Sequence, residues 1–150
     1  MAELALSQGG LVAGMSRRPS TLSRKYPESY FHMECDLGDL KELPGVIRRY
    51  FHSLREWLGS RASNQADRPR AAPDSSGKIA LERVWLNAGI LGRIDDLQNT
   101  TLTELRAITD INLWANKILI DSLASPDCPF GVKHIVAISS GASVNGSRGW

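Results

Sequence analysis

The sequence lacks the features that would place this protein in a membrane, outside the cell or on nucleic acid. Its formal net charge is only +2 over 150 residues, which is too close to neutral to indicate a nucleic acid or an anionic membrane surface as a partner. No apolar run approaches the ~20 residues that a membrane span needs. The N-terminus has neither the basic region nor the long apolar stretch of a secretion signal, so we expect a cytoplasmic protein.

Cysteine and histidine are also scarce. Cys35 and Cys128 are the only cysteines and have no CxxC spacing, so we expect two reduced, buried thiols rather than a disulfide or a metal pair. The three histidines, His32, His52 and His134, are scattered and form no ligand motif. The sequence therefore predicts no metal site.

What the chain does have is the composition and pattern of one α/β domain. Apolar residues make up 42% of the sequence, which is ordinary for a globular domain with a core of its own. Four short and continuous apolar runs predict strands buried on both faces, and helical patterns lie between them. This alternation favours a parallel sheet; the predicted strands are 10–15, 30–34, 82–87 and 134–139.

Two helices are predicted in the first half of the chain. Residues 1–7, followed by Gly9, indicate the end of a helix that stops at a glycine cap. Residues 39–58 repeat apolar side chains at helical spacing. Asp39 and Glu42 could form a capping box there, although a proline two positions later leaves the exact start open.

A polar segment over 60–78 follows, rich in Ser, Pro, Ala and Arg and without periodicity. Such a composition predicts a flexible surface loop or insertion. Its length is unusual for a loop inside a compact domain.

The strongest helical pattern covers 101–124, where Thr101 and Glu104 fit a capping box. One apolar stripe of this helix is expected to face the sheet, and it includes Asn112 and Asn116. A buried amide without partners costs about 1–3 kcal/mol. We expect Asn116 to be a satisfied structural amide, whereas Asn112 could equally be structural or functional, because a buried amide can anchor a water or a neighbouring backbone. The apolar members of the stripe are Leu102, Leu105, Ile108, Leu119 and Leu123.

A second apolar stripe lies on the opposite side of the same helix. A helix that is apolar on two faces is either sandwiched or part of an interface. We therefore expect this second stripe to contact another subunit or a further part of the chain. Its residues are Ala107, Ile111, Trp114 and Ile118.

Five short motifs, in order along the chain, resemble those of the short-chain dehydrogenase/reductase family. The chain resembles this family over nearly its whole length except 60–78. The motifs are "GMSRRP" at 14–19, "CDLGD" at 35–39, "LNAG" at 86–89, "DINL" at 110–113 and "IVAISSGAS" at 135–143. The resemblance implies a Rossmann-type doubly wound parallel sheet and hydride transfer between a nicotinamide cofactor and a small carbonyl or alcohol substrate.

The resemblance also implies a role for particular residues. Ser140 would be the catalytic serine, and Asn112 the active-site asparagine with a supporting role. An arginine at the position of Arg17 binds the 2′-phosphate of NADP in this family, so NADP is expected rather than NAD. The remaining cofactor contacts would be Asp36 and Leu37 beside the adenine, and Asn87, Ala88 and Gly89 beside the ribose.

The resemblance finally implies an incomplete sheet. The family's catalytic Tyr and Lys would fall beyond Trp150, and its glycine-rich loop and first strand would precede residues 1–7. Residues 1–150 would then be a single partial NAD(P)-binding domain of about four strands, inactive alone, from a homo-oligomeric enzyme. Without the first strand, the strands beside it must pair directly or leave a gap. The alternative is a catalytically dead Rossmann-fold subunit with a binding or regulatory role.

Overall fold

The computed structural model describes residues 1–62 and 75–140. Within these residues, no helix is both long and apolar enough to cross a membrane. Strands and helices alternate along the chain, which confirms the α/β class. Their order is α1 (Ala2–Ser7), β1 (Val12–Ser16), α2 (Leu22–Lys25), β2 (Tyr30–Glu34), α3 (Leu43–Ala62), β3 (Ile79–Leu86), a 3-10 turn (Leu97–Asn99), α4 (Leu102–Thr109), a π-helical segment (Asp110–Trp114), α5 (Ala115–Ala124) and β4 (Phe130–Ala137).

All four predicted strands are present, and they pair in parallel as two separate two-stranded sheets. β1 pairs with β2, and β3 pairs with β4. Within the described residues, β1 and β3 do not pair with each other. In the doubly wound order 3-2-1-4-5, these two sheets correspond to strands 3-2 and 4-5, with one strand position between them. Of the two expected outcomes, the structure therefore shows the gap.

Helix α3 joins the two sheets into one hydrophobic core. Tyr50 of α3 packs on Phe31 of β2 with ring centroids 5.6 Å apart. The next residue, Phe51, meets Phe130 of β4 edge to face at 5.5 Å. Two neighbouring residues of one helix thus reach both sheets. The buried members of this core are Cys35, Leu43, Ile47, Tyr50, Phe51, Leu54, Ala115, Leu123, Cys128 and Phe130.

The predicted glycine cap of α1 is found, whereas one of the two bonds of the capping box predicted at Asp39 and Glu42 is present. Gly9 has a φ of 82° at the end of α1, as a glycine cap requires. The Asp39 carboxylate accepts a hydrogen bond from the Glu42 amide at 3.2 Å. Regular helix starts only at Leu43, after a turn, and continues beyond residue 58 into the predicted loop. Residues 63–74 of that loop lie outside the described residues.

The long helix predicted over 101–124 is three segments rather than one. The capping box is present, since the Thr101 amide donates to the Glu104 carboxylate and the Glu104 amide donates to Thr101 Oγ1. The bond from the Thr101 backbone lowers the pKa of Glu104. The π-helical segment Asp110–Trp114 then interrupts the α-helical pattern. A π turn shifts the side chains that follow relative to those that precede it.

The stripes predicted from uniform helical spacing hold in part. In the first stripe, Leu105, Ile108 and Leu119 are half-buried and Leu123 is buried. Leu102 was expected to face the sheet but is 73% exposed. Asn112 was expected to be buried but is exposed. In the second stripe, Ile118 packs against the core and Ile111 is half-buried, while Ala107 and Trp114 stay exposed.

The two cysteines are free and buried, as predicted. Cys35 is 7% exposed and Cys128 is 4% exposed. Desolvation raises the pKa of the Cys35 thiol, which keeps it protonated and unreactive.

Candidate active site

The residues predicted to bind cofactor and substrate follow the carboxyl ends of the four strands. In the first sheet, Ser16 pairs with Glu34 at the last register position. Arg17 and Asp36 follow these two strand ends. Because parallel strands end at the same edge of a sheet, the two residues share that edge. It is at such an edge that doubly wound folds bind their ligands.

The second sheet places Ser140 and the Asn87–Gly89 loop at the corresponding edge. Leu86 pairs with Ala137, and the Ile138 amide donates to the Leu86 carbonyl at 3.1 Å. The two strands therefore stay side by side up to Ile138. Ser140 lies two residues further on, while Asn87 directly follows Leu86 on the neighbouring strand.

The Asn112 side chain is fixed to the loop that follows β3. Its Oδ1 accepts a hydrogen bond from the Ile90 amide, and its Nδ2 donates to the Ile90 carbonyl, both at 2.8 Å. A Cβ on Gly89 would lie 3.4 Å from Asn112 Oδ1, so the absent side chain lets the loop approach the amide. The Asn112 amide is therefore bonded to a neighbouring backbone.

Ile111, the residue before Asn112, lies near the turn that follows β2 in the first sheet. A Cβ on Gly38 would lie 3.6 Å from Ile111 Cδ1. Gly38 belongs to the turn after β2, in which its amide donates to Asp36 Oδ1 at 2.9 Å. Two consecutive residues of the π-helical segment thus lie near the turn after β2 and bind the loop after β3, respectively.

The site is open to solvent. Arg17, Asp36 and Ser140 are exposed, as are Asn87, Ala88 and Gly89, whereas Leu37 is half-buried. A Cβ on Gly38 would also lie 3.3 Å from Asp36 Oδ1, which leaves little room for a larger residue in that turn. The predicted site residues therefore line a surface that a ligand can reach.

Asn116 differs from Asn112 because its bond stays within the helix. Its Nδ2 donates to the main-chain carbonyl of Asn112 at 2.9 Å. The bond supplies a donor to a carbonyl in the segment where the helical register changes. This confirms Asn116 as a satisfied structural amide.

Sequence reasoning missed Ile90 and Gly38 as partners of the helix, and it missed the π turn that presents Ile111 and Asn112 to them. The bonds to Ile90 use only its main-chain atoms, so its side-chain type carries no signal. A shallow cavity of about 300 Å³ lies on the helical side of Gly38. It is lined by Gly38, Thr103, Arg106, Ala107, Asp110 and Ile111, so it excludes the predicted site residues and we do not assign it to the cofactor.

Compared by sequence, the chain matches no family model and no curated protein. Its structure is similar to serine dehydrogenase from Escherichia coli, with a TM-score of 0.58, 15% identity and 99% of this chain covered. It also resembles a short-chain dehydrogenase/reductase from Burkholderia vietnamiensis, with a TM-score of 0.60, 23% identity and 99% covered. The chain has the short-chain dehydrogenase/reductase fold. A closed form of serine dehydrogenase complexed with NADP+ has this fold too, with a TM-score of 0.63, 12% identity and 99% covered.

The chain spans about half the length of these solved structures. It covers 58% of the Escherichia coli enzyme, 60% of the Burkholderia protein and 51% of the NADP+ complex. The short-chain dehydrogenase/reductase fold accounts for the strand order and for the strand position left open between β1 and β3.

Proposed function

We propose that residues 1–150 form one NAD(P)-binding unit of an oxidoreductase that transfers a hydride between NADP(H) and a carbonyl or alcohol substrate. The observation that carries this proposal is the π-helical segment. Ile111 lies against the turn after β2, and Asn112 binds the loop after β3. This arrangement supports a dinucleotide site along the edge to which both loops belong.

The residues at this edge fit a nicotinamide dinucleotide phosphate. Arg17 offers a guanidinium fork that suits a phosphate dianion, and it directly follows the exposed end of β1. Asp36 uses one oxygen for the Gly38 amide, and a carboxylate has further acceptor positions for the adenine amine. Ala88 and Gly89 are small and exposed, which allows the backbone close to a ribose. The NADP+ complex of a protein with this fold supports the same choice.

The substrate would bind at the carboxyl ends of β3 and β4. When bound, the nicotinamide supplies or accepts the hydride. The Ser140 hydroxyl would hold the substrate oxygen and stabilise negative charge that develops there. Asn112 would support the site by keeping the Asn87–Gly89 loop in place, since its amide oxygen accepts from Ile90 and its amide nitrogen donates to Ile90.

Replacing Arg17 with alanine tests the cofactor assignment. A charge-assisted bond to phosphate contributes about 1.5–3 kcal/mol, so we expect the Kd for NADPH to rise about tenfold or more. The Kd for NADH should change little, because NADH lacks the 2′-phosphate. Titration calorimetry with both cofactors measures the two values, and Arg55→Ala on α3 is a matched control. Equal changes for NADPH and NADH would refute the phosphate role.

The exposed part of the second stripe supports a contact with a second copy of the chain. Trp114 is 49% exposed and the neighbouring Leu113 is 55% exposed, which favours a contact between copies. The same surface would serve the alternative function, a regulatory subunit without catalysis. Sedimentation equilibrium tests the self-contact, and a monomer at all concentrations would refute it.

Buried free thiols support a cytoplasmic location.

A further inference from the structure

One face of the first sheet carries a pair of half-buried, stacked rings that extend across β1. His32 and Tyr30 alternate on β2, and their ring centroids are 6.1 Å apart at an interplanar angle of 19°. Gly14 of β1 pairs with His32. A Cβ at Gly14 would lie only 2.7 Å from the Tyr30 hydroxyl oxygen. A glycine at this position is therefore what allows the two rings to cross the strand.

Because the two rings extend across β1, the His32 ring reaches the end of that strand. His32 Nε2 lies 2.8 Å from Ser16 Oγ, although the register partner of Ser16 is Glu34. Ser16 Oγ also donates to the main-chain carbonyl of Arg18 at 2.8 Å. A hydroxyl has only one hydrogen. Since Ser16 uses this hydrogen in its bond to the Arg18 carbonyl, the bond between Ser16 and His32 requires a hydrogen on His32 Nε2.

These two bonds form a chain from the sheet to the turn that contains Arg17. The chain runs from His32 Nε2 through Ser16 Oγ to the Arg18 carbonyl. Arg17 lies between Ser16 and Arg18, the two residues that the second bond joins. His32 is half-buried and stacked on Tyr30, so it is a firm anchor for an otherwise exposed turn.

We propose that His32 is a positioning residue for cofactor selection. It orders the Ser16–Arg18 turn before the cofactor arrives, so that Arg17 binds a 2′-phosphate at a lower entropic cost. This role rests on the proposed phosphate contact of Arg17. It concerns only the end of the cofactor that distinguishes NADPH from NADH, and it predicts no effect on the rest of the dinucleotide.

Replacing His32 with phenylalanine tests this role, because a phenyl ring keeps the stacking on Tyr30 and removes the hydrogen-bond donor. Loss of one hydrogen bond corresponds to about a three- to tenfold change in affinity. We expect the Kd for NADPH to rise by that factor and the Kd for NADH to stay unchanged. His32→Gln, which restores a donor, should recover most of the NADPH affinity. His52→Ala is the matched control, since His52 is an exposed histidine of α3.

A second measurement does not depend on cofactor binding. The ¹⁵N shifts of the His32 ring in the free protein should show a hydrogen on Nε2, and the Arg18 backbone signal should shift in His32→Phe. A His32 ring without hydrogen on Nε2 would overturn the inference. The inference would also be overturned if His32→Phe left the ratio of the NADPH affinity to the NADH affinity unchanged while Arg17→Ala lowered that ratio. If Arg17→Ala also leaves the ratio unchanged, the proposed function fails first, and this role of His32 fails with it.

Discussion

Phe130→Ala should lower the free energy of unfolding by about 3–5 kcal/mol, the range for a large aromatic residue removed from a core. Phe130 is 1% exposed and meets Phe51 of α3 edge to face at 5.5 Å. This contact attaches the second sheet to the helix that also packs on the first. Because strand pairing does not join the two sheets, the loss of the contact affects the whole core. Urea denaturation followed by circular dichroism measures the change.

Ile135→Ala on the same strand is the control for this prediction. Ile135 is 45% exposed, so its replacement should cost only about 1 kcal/mol. If Phe130→Ala does not fold, Phe130→Leu keeps most of the apolar volume and should cost about 1–2 kcal/mol. Equal effects at positions 130 and 135 would contradict the role of α3 as the link between the sheets.

Asn112→Ala should cost about 2 kcal/mol of stability, because it removes two hydrogen bonds of about 1 kcal/mol each. Both bonds, at 2.8 Å, go to the Ile90 main chain. The effect should be strongest in the loop after β3. We therefore expect the Ile90 amide to exchange with solvent about tenfold faster or more, as measured by hydrogen exchange.

Two further variants show whether the paired bonds carry this effect. Asn112→Asp keeps an acceptor for the Ile90 amide but places a carboxylate oxygen against the Ile90 carbonyl, so it should destabilise the loop as well. Asn116→Ala removes a single bond within the helix and should leave Ile90 exchange unchanged. Faster exchange at Ile90 in Asn116→Ala would show that the helix, and not the Asn112 amide, holds the loop.

The elements with strong local signals could be predicted from the sequence. Buried strands read as continuous apolar runs, and β2 was predicted with its observed bounds, Tyr30–Glu34. The cap at Thr101 was predicted because its bonds are local. The short helix α2, Leu22–Lys25, was missed because four residues are too few to show a helical period.

The parts of the site that depend on packing could not be predicted in the same way. The π turn at Asp110–Trp114 breaks the uniform spacing on which a stripe depends, and Asn112, inside it, is exposed rather than buried. The link from His32 to the Arg17 turn joins residues on different strands. They meet because the His32 ring, whose register partner is Gly14, reaches along β1 to Ser16.

The gap between the sheets also bears on stability. Unpaired strand edges expose backbone donors and acceptors and favour association with other chains. Apolar side chains near these strands are partly open, with Trp85 42% exposed and Ile138 46% exposed. We therefore expect the described fold to have low stability or to associate with other chains.

The central claim, that a nicotinamide dinucleotide phosphate lies along the carboxyl ends of the strands, is tested most directly by NADPH titration of the ¹⁵N-labelled protein. We predict saturable amide shifts at Arg17, Asp36 and Asn87–Gly89. We predict no shifts at Ile79 and Phe130, which start the strands of the second sheet. Shifts confined to the helical surface around Trp114, or no saturable shifts at the strand ends, would contradict the account.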